Sequence, residues 1–305
     1  MSEKIVVGYN GTTSATEAVM WAANEAELRH VPLRIVSCFE MPIVVADASL
    51  GWGADTAYEA IREAAATNAD QIRSIIIAKH PTLTLTTHVS PAPASTALLT
   101  DVASGDLVVV GSSSHHGTSA FWLGSTPRHL VHDSPCPVAV IRGSASRGKP
   151  DRIVVGVDGS AAADQAVLWA GDEADRHHVE LVLVHGWSYP YTPTDTTSTQ
   201  ARELTEIDAD CTLTRSVEAA RERCGVTVTG SLVESSAVSA LLDTLRDGDL
   251  LVVGSRGRGG VRSRLFGSTA NSILDHCTVP VVVVRAVPTN EVSTSAPHAA
   301  AVTQA

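Results

Sequence analysis

The chain is written twice. IVVGYNGT begins at Ile5 and IVVGVDGS at Ile153, DLVVVGSSS at Asp106 returns as DLLVVGSRG at Asp249, and CPVAVIR at Cys136 returns as VPVVVVR at Val279. Gly8, Asn10 and Trp21 map 148 residues on to Gly156, Asp158 and Trp169. Gly111, Gly124 and Pro137 map 143 residues on to Gly254, Gly267 and Pro280. A period of about 145 residues is too long for a solenoid repeat and fits one compact domain, duplicated. At 305 residues the chain is long enough for two such domains, each with its own core. Agreement between the copies is most simply due to the fold, and differences mark where function has diverged.

Each copy alternates short apolar runs with amphipathic segments. The first gives strands at Lys4–Tyr9, Leu33–Cys38, Leu83–Val89, Asp106–Gly111 and Cys136–Ile141. The second gives Arg152–Val157, Glu180–Gly186, Val226–Leu232, Asp249–Gly254 and Val279–Val284. VVV and LVVV runs, apolar on both faces, suit a parallel sheet covered by helices on each side. Ser14 with Glu17 reads as a capping box for the first helix, whose Val19, Ala22, Ala23 and Ala26 recur at helical spacing. Longer helices follow at about Asp55–Lys79 and Gln200–Cys224, short ones near Ser95–Ser104 and Ala237–Arg246, and a last one from Ser125 or Ser268. The expectation is two open five-stranded α/β domains, Rossmann-like, with strand order 3-2-1-4-5. Residues 1–142 form the first, GSASRGKP (143–150) the linker, 151–286 the second, and 287–305 a disordered tail without periodicity.

Composition excludes several classes. A formal charge of −11 argues against sequence-independent binding to nucleic acid or anionic membrane. No stretch approaches the roughly 18 apolar residues of a membrane span. MSEKIVVGYNG enters a strand directly, without a secretory signal, and the five cysteines form no CxxC pair. Reduced thiols in a cytoplasmic protein are expected.

The chemistry-bearing residues fall at two strand ends. In the second copy, GSRGRGGVRSRLFGST places Gly254, Gly257, Gly267 and Ser268 directly after a strand. Glycine at 254 and 257 permits positive φ and close approach of backbone to a ligand. Ser268 and Thr269 begin the last helix, where unpaired N–H groups and the positive dipole end favour phosphate. Gly156, Val157, Asp158 and Gly159 bring a carboxylate to the end of the first strand. In order 3-2-1-4-5, strands 1 and 4 flank the topological switch point, where open α/β sheets bind ligands.

The G-2x-G-9x-G-[ST] spacing, VGVDGS and the terminal PVxVVR strand together resemble the universal stress proteins, over nearly the whole chain except linker and tail. The resemblance implies a tandem member that binds ATP. By its motif, Gly156 and Asp158 contact the nucleotide, with Asp158 near the ribose and a magnesium ion on the phosphates. His185 and Gly186 face adenine. Gly254, Gly257, Gly267, Ser268 and Thr269 hold the phosphates. Arg256 and Arg258, with Arg262 and Arg264 nearby, are of the residue type suited to forked phosphate contacts.

The first copy departs from this pattern. Its loop reads GSSSHHGTSAFWLGST, with Ser114 where the second glycine belongs, and Asn10 stands where the aspartate belongs. A serine held in the left-handed region costs about 1–2 kcal/mol. Gly8, Gly111, Gly124, Ser125 and Thr126 remain, Gly117 adds slack, and Ser37–Cys38 replaces His185–Gly186. This copy is therefore expected to hold a weakened nucleotide site, with the C-terminal site dominant.

Other chemistries lack their signatures. There is no GxxxxGK[ST], GxGxxG, HExxH or GxSxG. The pairs His115–His116 and His177–His178 read as surface polarity. No general base or nucleophile stands beside the phosphate motif, which favours a binding module over an enzyme. The leading reading is an ATP-binding regulatory protein acting through an unidentified protein partner. The alternatives are a slow ATPase or nucleotidyl-transfer enzyme, or a scaffold whose sites are vestigial or prefer cyclic AMP. The two terminal strands are apolar edges without protecting charges. They are expected to pair within the chain as a pseudo-dimer, and a homodimer of tandem chains is a further assembly open to it.

Overall fold

The computed structural model of the chain describes residues 3–39, 53–112, 124–142, 148–189, 198–257 and 267–286. Its first half runs β1 (Ile5–Tyr9), α1 (Thr13–Arg29), β2 (Leu33–Cys38), α2 (Gly53–Lys79), β3 (Leu85–Ser90), α3 (Ala94–Leu99), β4 (Leu107–Gly111), α4 (Ser125–Asp133) and β5 (Val138–Ile141). The second repeats it as β6 (Arg152–Gly156), α5 (Ala161–His177), β7 (Glu180–Trp187), α6 (Ser198–Arg223), β8 (Val228–Glu234), α7 (Ala237–Thr244), β9 (Leu250–Gly254), α8 (Ser268–His276) and β10 (Val281–Val284).

The strands form one sheet, β3-β2-β1-β4-β5-β10-β9-β6-β7-β8, so each half has the order 3-2-1-4-5. Pairing within each half is parallel, as in β1 with β4 and β6 with β9. The valine runs serve both faces. Ile5 and Val7 pack with α1 and α2 on one side, while Val6 points to Leu98 of α3 and Leu130 of α4 on the other. Each of these two apolar layers continues into the other half.

The halves join where β10 runs antiparallel to β5, with Val281 opposite Val140 and Val283 opposite Val138. This is the intrachain pseudo-dimer expected from the apolar terminal strands. Two arginines clasp the seam reciprocally. Arg142 Nη1 donates to the carbonyls of Leu274 and Cys277 at the end of α8, both at 2.9 Å. Arg285 Nη1 donates to those of His132 and Ser134 at the end of α4, at 2.8 and 3.0 Å. Helix ends leave carbonyls unpaired, so each half caps a helix of the other.

Several local expectations need correction. The first helix is capped by Thr12, whose hydroxyl accepts from the Ala15 amide, and not by a Ser14–Glu17 box; Ser160 caps α5 in the same way. The short helices stop earlier than expected, at Leu99 and Thr244, because Asp106 and Asp249 draw the following chain into turns. Asp106 Oδ2 accepts from Ala103 N and Asp249 Oδ2 from Arg246 N, both at 2.8 Å. Both aspartates are buried, and each pairs with a base at the start of its neighbouring strand, Lys4 at 3.2 Å and Arg152 at 2.6 Å.

His177 is not surface polarity. It is buried between α1 and α5, with Nε2 at 3.1 Å from Glu25 and 3.2 Å from Glu173. Arg29 reaches Glu173 at 2.6 Å, bonds Glu25 through Nε, and lies over the Trp169 ring at 5.3 Å. Burial opposes ionisation of Glu25, but His177 and Arg29 outweigh it and hold its pKa at about 2. Burial likewise opposes the His177 charge, yet the two glutamates raise its pKa to about 9. Burial pushes the Glu173 carboxyl up, against the pull of Arg29. Glu25, Glu173 and His177 offer ligand atoms within 4.8 Å of one another, a spacing a metal ion could use. Here Arg29 and His177 each already bond both glutamates, and an ion would have to displace a paired guanidinium.

Candidate nucleotide site

The switch-point turns are built alike in both halves. In Asn10–Gly11 and Asp158–Gly159, the glycines take φ of 79° and 73°, the left-handed region that favours glycine. The side chain before each glycine closes the turn. Asn10 Oδ1 accepts from Thr12 N at 3.2 Å and Thr12 Oγ1 at 2.7 Å, and Asp158 Oδ1 accepts from Ser160 N at 2.9 Å. The hydroxyls of Thr12 and Ser160 then start α1 and α5.

The glycines ending β4 and β9 have a different role from the one expected. Neither Gly254 nor Gly257 has positive φ; among the described glycines that conformation belongs to Gly11, Gly148, Gly159 and Gly248. Gly254 is small because α5 begins against it: a Cβ there would lie 2.8 Å from the Ala162 carbonyl carbon. Gly111 meets α1 in the same way, 2.5 Å from the Ser14 oxygen. Gly257 lies against the carboxylate, since its Cβ would fall 2.5 Å from Asp158 Oδ2. The chain around it is tied down by Ser160 Oγ donating to the Arg256 carbonyl at 3.3 Å and Gly267 N donating to the Ser255 carbonyl at 3.0 Å. The structure therefore brings Asp158, Arg256, Gly257 and Gly267 together, with Arg256 exposed. Ser114, Gly117 and Arg258 lie outside the described residues, as do Arg262 and Arg264.

The last helices supply donors. Gly124 and Gly267 are the N-caps of α4 and α8, and neither helix has a side-chain cap bond. Ser125, Thr126, Ser268 and Thr269 occupy the first turns without spending their hydroxyls on the cap, leaving amides for a ligand.

At the second strand, His185 is buried and its Nδ1–H donates to the Val157 carbonyl at 2.5 Å, which fixes β7 against the β6 turn. Gly186 is required by α7, because a Cβ would fall 2.8 Å from the Ala237 Cα. Gly8 and Gly156 make the gentler contacts, 3.1 Å from Leu98 and Leu241.

In the first half these residues enclose a cavity of about 530 Å³, within the range of small-molecule sites. Asn10, Gly111, Gly124, Ser125 and Thr126 form its polar end, while Val36, Cys38 and Leu98 form an apolar wall. Tyr9 and Thr12 also line it and carry no expectation from the sequence, and Ser14, expected as a cap, lines it too. A hydroxyl two residues beyond Asn10 and Asp158 in both copies was the signal available.

The class this architecture defines is a tandem of two open α/β domains sharing one sheet, with a cleft at a switch point. The Universal stress protein family model matches residues 1–142 and 150–285, and the chain belongs to that family. A universal stress protein of Mycobacterium tuberculosis strain H37Rv is 30% identical, over 92% of this chain and 96% of its own length. One from Mycolicibacterium smegmatis is 29% identical over the same shares. A universal stress protein crystal structure from Archaeoglobus fulgidus DSM 4304 shares the fold, with TM-score 0.61, 15% identity and coverage of 93% of this chain and 98% of that one. Family membership fits a role in stress response. Among the described residues, no helix is long and apolar enough to cross a membrane.

Proposed function

We propose that this chain is an ATP-binding regulatory universal stress protein, signalling nucleotide state to a protein partner in the cytoplasm. The observation that carries the reading is the cleft at the switch point. A cavity of about 530 Å³ in the first half joins an apolar wall to an uncapped helix start. The second half repeats the turn, the uncapped helix and the close glycines, and adds the Asp158 carboxylate. Asp158 would hold magnesium accompanying the phosphates, and Gly267, Ser268 and Thr269 would hold the phosphates. Magnesium would supply neutralisation of phosphate charge there. The second half is therefore the stronger ATP site in this proposal.

Mass spectrometry of ligand released from freshly purified protein tests the reading, with ATP expected. Calorimetry with magnesium and ATP on the full chain should then show about tenfold or greater loss in Asp158→Asn, since one charge-assisted contact contributes about 1.5–3 kcal/mol. Undiminished binding would remove the second half from the role. Steady-state turnover on the same protein separates a regulatory binder from a slow ATPase.

A further inference from the structure

The outer face of α6 carries apolar residues that the fold does not require. Its inward Ala209, Leu213 and Ala220 match the buried Ala65, Ala69 and Ile76 of α2 at an offset of 144 residues. At the same offset, Ala60, Glu63 and Thr67 on the exposed side of α2 become Leu204, Ile207 and Cys211. Leu204 and Ile207 are 62% and 58% exposed, more than any other large apolar side chain among the described residues, and Cys211 is exposed as well. Spacings of three and four residues put all three on one stripe of the helix. A single exposed apolar residue is ordinary. A stripe of them, where the sister helix has small and polar residues, is suited to burial against another surface.

The charges beside the stripe select that surface. Glu203, Asp208 and Asp210 flank it before Cys211, and Arg215 stands exposed one turn after it. A second α6 laid antiparallel across the first, with the two-fold axis at Cys211, sets Arg215 of each copy over Ile207 and Asp208 of the other. The apolar stem of the arginine then covers Ile207 while its guanidinium reaches the carboxylates. A parallel arrangement would set the acidic half of one helix against that of the other. The antiparallel contact is isologous, so every contact is made twice and the patch closes as a dimer. The same carboxylates repel an acidic partner such as nucleic acid.

We propose that the outer face of α6 is the surface through which two copies of this chain associate, antiparallel about Cys211. This stands apart from the nucleotide-binding reading above and gives a homodimer of tandem chains a definite surface. The stripe is short, so the association belongs to the weak, reversible class.

The full chain is followed by sedimentation velocity over a concentration series under reducing conditions. A short bismaleimide cross-linker with peptide mass spectrometry gives the second readout. A concentration-dependent dimer is expected, cross-linked between the two Cys211 residues. Ile207→Glu, which copies Glu63 of α2, should weaken dimerisation at least about tenfold and leave the melting temperature unchanged, because the side chain is exposed. Asp208→Arg and Arg215→Asp should each weaken it alone, and an equimolar mixture of the two variants should restore a dimer. A chain that stays monomeric at every concentration overturns the inference. A dimer that Ile207→Glu leaves intact, or one cross-linked through other cysteines and not Cys211, overturns it too. A variant mixture that remains monomeric rejects the antiparallel contact and the proposal with it.

Discussion

Glycines that look equivalent in the motif differ in what they prevent. A Cβ at Gly254 would meet main chain of α5, at 2.8 Å from the Ala162 carbonyl carbon, and main chain cannot swing aside. Gly254→Ala should cost about 1–3 kcal/mol through overpacking. A side chain at Gly257 meets the Asp158 carboxylate, the movable end of a side chain. Gly257→Ser should therefore keep its melting temperature and lose about tenfold in ATP affinity by displacing that carboxylate. Thermal unfolding and calorimetry on both variants check the pair, and the reverse pattern would contradict it. Much of the candidate site was legible from spacing, because glycines, Asp158 and the Ser–Thr helix starts recur at fixed offsets. The reason for the glycines was not legible: φ and close approach both select glycine, and only coordinates separate them. Tyr9 and Thr12 escaped because a tyrosine at a strand end and a capping hydroxyl are common in any fold.

The elements were the most readable level. Every strand was anticipated to within a few residues, because Val–Val–Val runs buried on both faces leave little alternative to a covered parallel sheet. The ends of α3 and α7 were misjudged because Asp106 and Asp249 act across the chain, holding turns to Ala103 and Arg246. The arginine clasp was hidden for the same reason, since Arg142 meets Leu274 and Cys277 only after the halves pair. Removing it tests its contribution. Arg142→Ala should lower stability by about 1.5–3 kcal/mol, since hydrogen bonds from a charged donor to two carbonyls of α8 are lost. Arg285→Ala should cost less, because its side chain is only half-buried. Urea unfolding midpoints rank the two, and equal costs would show that burial does not govern the clasp.

At the scale of the molecule, the buried charges between α1 and α5 make stability depend on pH. His177 is raised from its ordinary 6.5 to about 9, so its contribution is complete below pH 6.5 and lost as pH rises through 9. Glu25 is lowered from 4.5 to about 2, so its contribution is present above pH 4.5 and lost as pH falls through 2. Glu173, Arg29 and Arg176 face the same cluster. Melting temperature should decline between pH 6.5 and 9 in the native chain, and His177→Gln should flatten that decline. An unchanged slope would place the titration elsewhere. Glu25 and Glu173 stand at the same 148-residue offset as Gly8 and Gly156, so a charge shared by both copies on an apolar helix face was the sequence's sign of this contact. The antiparallel pairing of β5 with β10 has one further effect. Strands of the first half all run one way and those of the second the other, so their C-terminal ends emerge on opposite rims of the shared sheet. A body lying flat against one rim meets only one of the two switch points. The molecule thus has two separate faces of approach, and whatever covers one leaves the other open.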